Sequence, residues 1–332
     1  MLRRLSPVFI EEAFRRRSYY KTFSWMIAVI GLLAIIVALH QLNKTLEEGK
    51  RFEEAAKAID IVIPANHATQ DLTSYYLASL EKQVEEPQAT KQAETSLFHL
   101  YEQLKEEQAT GPARKELLEE ITKLERQGYD SNHRFFTAST NFKSEVIFNQ
   151  LVLSKETGSY YDVFSHLIMM EEQLGKSAQI LREASRDNEI SSIDRLRIQQ
   201  MRIDLPIRQQ SLMNALYEVV SLQDDAGRQE IANMRSQMRN YTETLDELLS
   251  TSNDQNYAKL AEQSQQYETS MYRIYDQKLK QVQQEMQHRG SQIIQNAWLL
   301  FATIILVITA LLILNWLLLR AFRKDISLLQ NE

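Results

Sequence analysis

The residue best placed to grip a ligand is Arg208. It falls in the run Ile198, Met201, Leu205, Arg208, Leu212, Ala215 and Val219, whose steps of three and four residues trace one helix face. The spacing predicts a charge directed into a bundle core, just after Pro206, whose missing N–H loosens the local helix. A guanidinium held there must be paired, by an acid on a neighbouring helix or by a ligand carboxylate in the two-pronged geometry arginine favours. A slightly different helix register leaves it on the surface instead. The second candidate is Arg134, within His133-Arg134-Phe135-Phe136. A cation beside aromatic rings at a helix start suits a small anion, and helix-end packing is the plainer reading.

Other chemistry is sparse. Asp162 and His166 lie one helical turn apart, but a single such pair without further ligands makes no metal site. The paired acids Glu85–Glu86, Glu106–Glu107 and Glu119–Glu120 read as solvated helix faces. Tyr75–Tyr76 and Tyr160–Tyr161 line a pocket or fill a seam, and Tyr19–Tyr20 suits a membrane interface. Glycine-rich phosphate loops, H-E-x-x-H and G-x-S-x-G are missing from the sequence. With 0 cysteines there is no disulfide, thiolate metal site or cysteine nucleophile. The expectation is a chain that is not an enzyme and takes no cofactor and no metal.

The elements that must position these residues are helices. Glycine (8) and proline (5) are scarce in 332 residues, good helix formers dominate, and no stretch alternates like a strand, so the fold class is all-α. Two runs, Phe23–Leu39 and Ala297–Leu319, contain no charge and carry tryptophan near their ends (Trp25; Trp298 and Trp316). They predict two transmembrane helices. The domains expected are a basic tail at 1–21, a span at 22–41, a helical domain at 42–296, a span at 297–319 and a helical stub at 320–332. Six basic residues against two acids in the first tail, and Arg320, Arg323 and Lys324 in the last, place both termini in the cytoplasm by the positive-inside rule. The tails carry +4 and +1 of a whole-chain −6, so the middle carries −11 and is a poor partner for nucleic acid.

Within the middle, a first helix is expected from Asn43 to Val84 with a kink at Pro64, and Gly111–Pro112 marks a turn into a helix that ends near Gly128. Further helices are expected over 132–155, 159–185, 191–222 and 228–249, with Asp224–Gly227 as a sharp break. The last begins at Gln255 and runs unbroken into the second span.

A short basic tail, one span, about 250 residues of helix, a second span and a helical stub with Phe322, Ile326 and Leu329 at helical steps resemble the input region of bacterial sensor histidine kinases and chemoreceptors. Within that group the chain resembles the helical bimodular sensor domain. The resemblance implies an elongated extracytoplasmic (periplasmic) bundle in the bacterial inner membrane, built as two stacked four-helix bundles. It also implies a homodimer that takes a small carboxylate or a periplasmic binding protein, and a cytoplasmic output domain such as a histidine kinase, beyond Glu332 or on a partner. RAFRKDISLLQNE lacks the proline usual in a HAMP linker, which points to a direct signalling helix. The alternatives are a helical scaffold subunit of a membrane complex and a polysaccharide co-polymerase that controls glycan chain length. The second is disfavoured by the lack of proline-rich sequence near the second span and of strands.

Overall fold

A computed structural model describes residues 7–78, 80, 86–106, 111–129, 134–151, 160–186, 191–219, 225–250 and 254–330. These form helices α1 (Pro7–Asp60), α2 (Val62–Ala78), α3 (Glu86–Glu106), α4 (Pro112–Gln127), α5 (Phe135–Leu151), α6 (Tyr161–Arg186), α7 (Ser192–Val219), α8 (Asp225–Ser250) and α9 (Asp254–Gln330). His133 and Gly158, and the side chains of Tyr19, Tyr20, Phe322, Ile326 and Leu329, lie outside the described residues.

Local chemistry accounts for the boundaries. Pro64 lacks an N–H for the Asp60 carbonyl and its ring crowds it, so the expected kink is a break at Ile61, between α1 and α2. Pro112 opens α4 behind Gly111, where a missing N–H costs nothing. Gly128 closes it at φ +81°, its N–H donating to the Leu124 carbonyl at 3.0 Å. The helix expected from Arg228 begins three positions earlier, at Asp225, whose carboxylate suits the positive end of the helix.

The chain divides into two units. The first comprises residues 1–53 and 288–332. Its parts of α1 and α9 each contain a window long and apolar enough to cross a membrane, and only 6% of either window is buried. Asn315 Nδ2 donates to Ser24 Oγ at 2.9 Å, which satisfies a carboxamide in otherwise apolar surroundings. Gly49 and Gly290 let the two backbones approach closely: a Cβ on Gly49 would come within 2.6 Å of Ile294 and 3.1 Å of the Gly290 carbonyl.

The second unit, residues 54–287, is a helical bundle. Within it α2 packs on α3, α5 and α6; α5 on α4 and α6; α6 on α7; and α7 on α8. The first part of α9 meets α6 through Tyr272 and Tyr275, and α8 through the Arg273–Glu230 and Lys259–Glu247 pairs. Leucine and aromatic side chains fill the interior, among them Leu72, Leu97, Leu117, Phe164, Leu212 and Tyr267, each fully buried.

The α7 core face differs from the expected seam at two places, of which one is its end, where Val219 is only half-buried. Ile198, Met201, Leu205, Leu212 and Ala215 are buried, but Gln209 takes the position assigned to Arg208, and Arg208 is only half-buried. A step of four from Leu205 and then three to Leu212 fits the 3.6-residue turn as well as three then four, and the neutral carboxamide costs far less to bury. Gln209 Nε2 donates to the Met234 carbonyl at 3.1 Å.

Candidate functional site

The bundle interior holds an unusual charge cluster. Lys143, on α5, sits one position after Phe142 on the face that also buries Phe135, Phe136, Ser139 and Ile147. Its ammonium donates to Glu171 Oε2 on α6 and, at 3.3 Å, to Thr69 Oγ1 on α2. The other Glu171 oxygen accepts from the Tyr272 hydroxyl of α9 at 2.8 Å. Thr69 Oγ1 also lies 3.1 Å from Ser139 Oγ. Lys143 and Glu171 are each 1% exposed, so the ion pair is sealed from water.

Beside it lies Glu268, one turn before Tyr272 on α9, 2% exposed and with neither carboxylate oxygen hydrogen-bonded among the described residues. The Asn66 carboxamide and the hydroxyls of Tyr267 and Tyr275 are unsatisfied in the same sense. Desolvation first, and the Glu171 charge second, push the Glu268 carboxyl well above the usual carboxylate range, so it holds its proton when ordinary acids have lost theirs. Burial also lowers Lys143 and raises Glu171, opposed in both by their mutual attraction. Four helices therefore share one polar cluster, in which the Lys143–Glu171 pair lies beside the Glu268 carboxyl.

A second feature is a surface groove of about 480 Å³ between α3 and α4. Lys105, Lys115, Lys123 and Arg126 line it together with Tyr101, and among the described residues Glu119 is the one acid on its wall. Lys105 Nζ lies 5.7 Å from the centre of the Tyr101 ring, and Lys123 is tied to Glu120. Among the described residues, Lys115 and Arg126 make no ion pair, which leaves their charge available to an anion. The groove is of small-ligand size, and its positive field stands out in a domain that is acidic as a whole.

The two arginines singled out by spacing sit elsewhere. Arg208 Nη1 lies 3.4 Å from Met169 Sδ on α6. Arg134 is exposed just before α5, where its backbone N–H donates to Glu120 Oε2 at 2.8 Å. Glu120 thus supplies from within the chain the negative charge that the α5 N-terminus favours. Tyr75 lies under the Arg182 guanidinium at 4.4 Å and Tyr76 donates to the Tyr129 carbonyl, so that tyrosine pair packs within the bundle. Burial and the nearby Glu94 and Glu125 charges push the Tyr129 hydroxyl up to about 12. Among the described residues no group of three or more metal-ligating side chains comes together, and Asp162 is exposed.

Sequence reasoning missed Lys143, Glu171 and Glu268. Glu268 carried a signal, since it directly follows Tyr267 in the helical spacing Leu260, Ser264, Tyr267, Met271, Tyr275, Leu279, one step from a core position. The chain matches no family model, no curated protein and no solved structure. The fold and the two sites are what define it: an all-helical protein with two membrane-length apolar helices near its ends and a helical bundle between them.

Proposed function

We propose that the chain is a transmembrane signal-sensing module, not a catalyst, that converts binding of a small carboxylate or a periplasmic binding protein into helix motion across a bacterial inner membrane. The observation that carries this reading is the continuity of α9. One unbroken helix holds Glu268 and Tyr272 in the buried charge cluster and, further along, the second apolar window. A bundle that buries a Lys–Glu pair beside a second carboxyl, unpartnered among the described residues, has more than one way to satisfy its interior, and a ligand favouring one packing shifts the helix that carries it.

On this reading residues 42–296 are periplasmic, both termini are cytoplasmic, and the chain works as a homodimer driving an output domain such as a histidine kinase. α2 to α5, and α6 to α9, are the material of two stacked four-helix bundles. The cationic groove is the seat for the carboxylate, and Arg208 and Arg134 are the competing seats. The scaffold and co-polymerase readings require no such groove and no charge inside the bundle.

The test is thermal unfolding of the full chain in nanodiscs, screened with citrate and other small carboxylates. The expected result is a ligand that raises Tm by several degrees, with the shift abolished by Lys115→Glu together with Arg126→Glu. A shift that survives this change but disappears in Arg208→Ala or Arg134→Ala moves the ligand to that arginine. No shift with any carboxylate removes the small-molecule form of the proposal.

A further inference from the structure

α7 is apolar on two faces. One is the core face described above. The other carries Ile193, Leu196, Ile203, Ile207 and Tyr217, which are 62%, 66%, 61%, 62% and 49% exposed. With Gln200, Gln210 and Asn214, all exposed, these residues form an unbroken series of alternating three- and four-residue steps from 193 to 217. That is the a/d spacing of a coiled coil, in which a helix meets another helix along a narrow seam. A merely solvated face has no reason to place apolar side chains at five of these eight positions, and soluble helices do not leave four branched aliphatic side chains so open without a partner.

We infer that this stripe is the interface through which two copies of the chain pair, α7 against α7. The inference rests on the dimeric part of the function proposed above and is independent of what the groove binds. A second copy is the occupant that the pattern fits. Copies inserted alike in a membrane are related by an axis along its normal, so a stripe at that axis faces its own equivalent residues. Ile203 then meets Ile203, and Gln200 meets Gln200. A carboxamide at an a position satisfies its own copy and fixes register, whereas it is poorly matched to an arbitrary apolar groove. Gln210 and Asn214 are already joined at 2.9 Å and form a polar end to the seam.

The flanks permit the pairing. Ser192, Gln199 and Pro206 on one side of the stripe are uncharged, so Arg197, Asp204 and Glu218 on the other side meet no like charge across a parallel seam. At roughly 100 Å² of apolar surface per large side chain, the five residues bring about 500 Å² per copy, most of what a standard interface uses.

The absence of cysteine makes the test clean. Leu196→Cys, Ile203→Cys and, as a control on α8, Arg239→Cys are introduced singly into the full chain and treated with diamide in membranes. Most of the first two proteins should become disulfide-linked dimers, and less than a tenth of the control. In detergent, Leu196→Glu with Ile203→Glu should raise the dimer dissociation constant at least tenfold by sedimentation, with the circular dichroism unchanged. A monomeric parent chain, equal linkage through Arg239→Cys, or stripe cysteines that fail to link overturns the inference. The carboxylate-dependent Tm shift is measured separately, so either proposal can fail alone.

Discussion

The interior cluster and the surface groove use the same side chains to opposite ends. Lys143 is sealed with Glu171 and Glu268 among four helices, whereas Lys115 and Arg126 stand in water on α4. In the interior every charge must be matched, because desolvation costs more than any single contact returns. On the surface, water screens the charges, so like signs can gather without destabilising the fold. The cluster is thus strongly coupled to the packing of the bundle, and the groove is free to serve a ligand.

Removing the buried cation gives the sharpest contrast. Lys143→Met leaves the buried Glu171 carboxylate without a counter-charge and should cost about 3–5 kcal/mol in denaturant unfolding of the full chain. Adding Glu171→Leu should restore most of that loss. An unchanged midpoint in Lys143→Met would mean that the interior is wet and the contrast false.

The groove wall has its own structural demand, but a backbone one. Gly128 ends α4 at φ +81° and ψ 162°, a region essentially reserved for glycine, although a Cβ there would meet nothing within 4 Å. Gly128→Ala should therefore cost about 1–3 kcal/mol through strain alone, read as a lower Tm.

Glu268 separates the regions by pH. Its carboxyl is raised in the folded state, so its stabilising share is complete below the ordinary carboxylate range and is lost as pH rises through the raised value. The parent chain should lose stability relative to Glu268→Gln as pH rises above the ordinary carboxylate range, with Glu268→Gln the more stable by about 1 kcal/mol once the carboxyl ionises. Parallel Tm–pH curves for the two proteins would show that Glu268 does not titrate in this range. The smallest effect belongs to the groove: Lys115→Glu with Arg126→Glu should change unfolding by no more than about 0.5 kcal/mol, as for surface charges generally.

Much of the fold was legible because its signals are local. Pro112 and Gly128 bracket α4, and the charge-free windows of α1 and α9 declare themselves by length and composition. Arg208 shows the limit. Apolar steps of three and four define a helix face only to within one residue, and rotation by a single position exchanged Arg208 for Gln209. The outward α7 stripe was hidden for a related reason: two apolar faces on one helix blur each other's period.

What the sequence determined by itself is the all-helical chain, the two apolar windows and most helix ends, since each depends on neighbours within a turn or on composition over one segment. What only the tertiary structure decided is which charges share a site. Thr69, Lys143, Glu171 and Tyr272 are separated by 74, 28 and 101 positions along their hydrogen bonds, and no local spacing links them. Their meeting depends on how four helices rotate about their axes to bury apolar faces, and that rotation is set by packing in three dimensions.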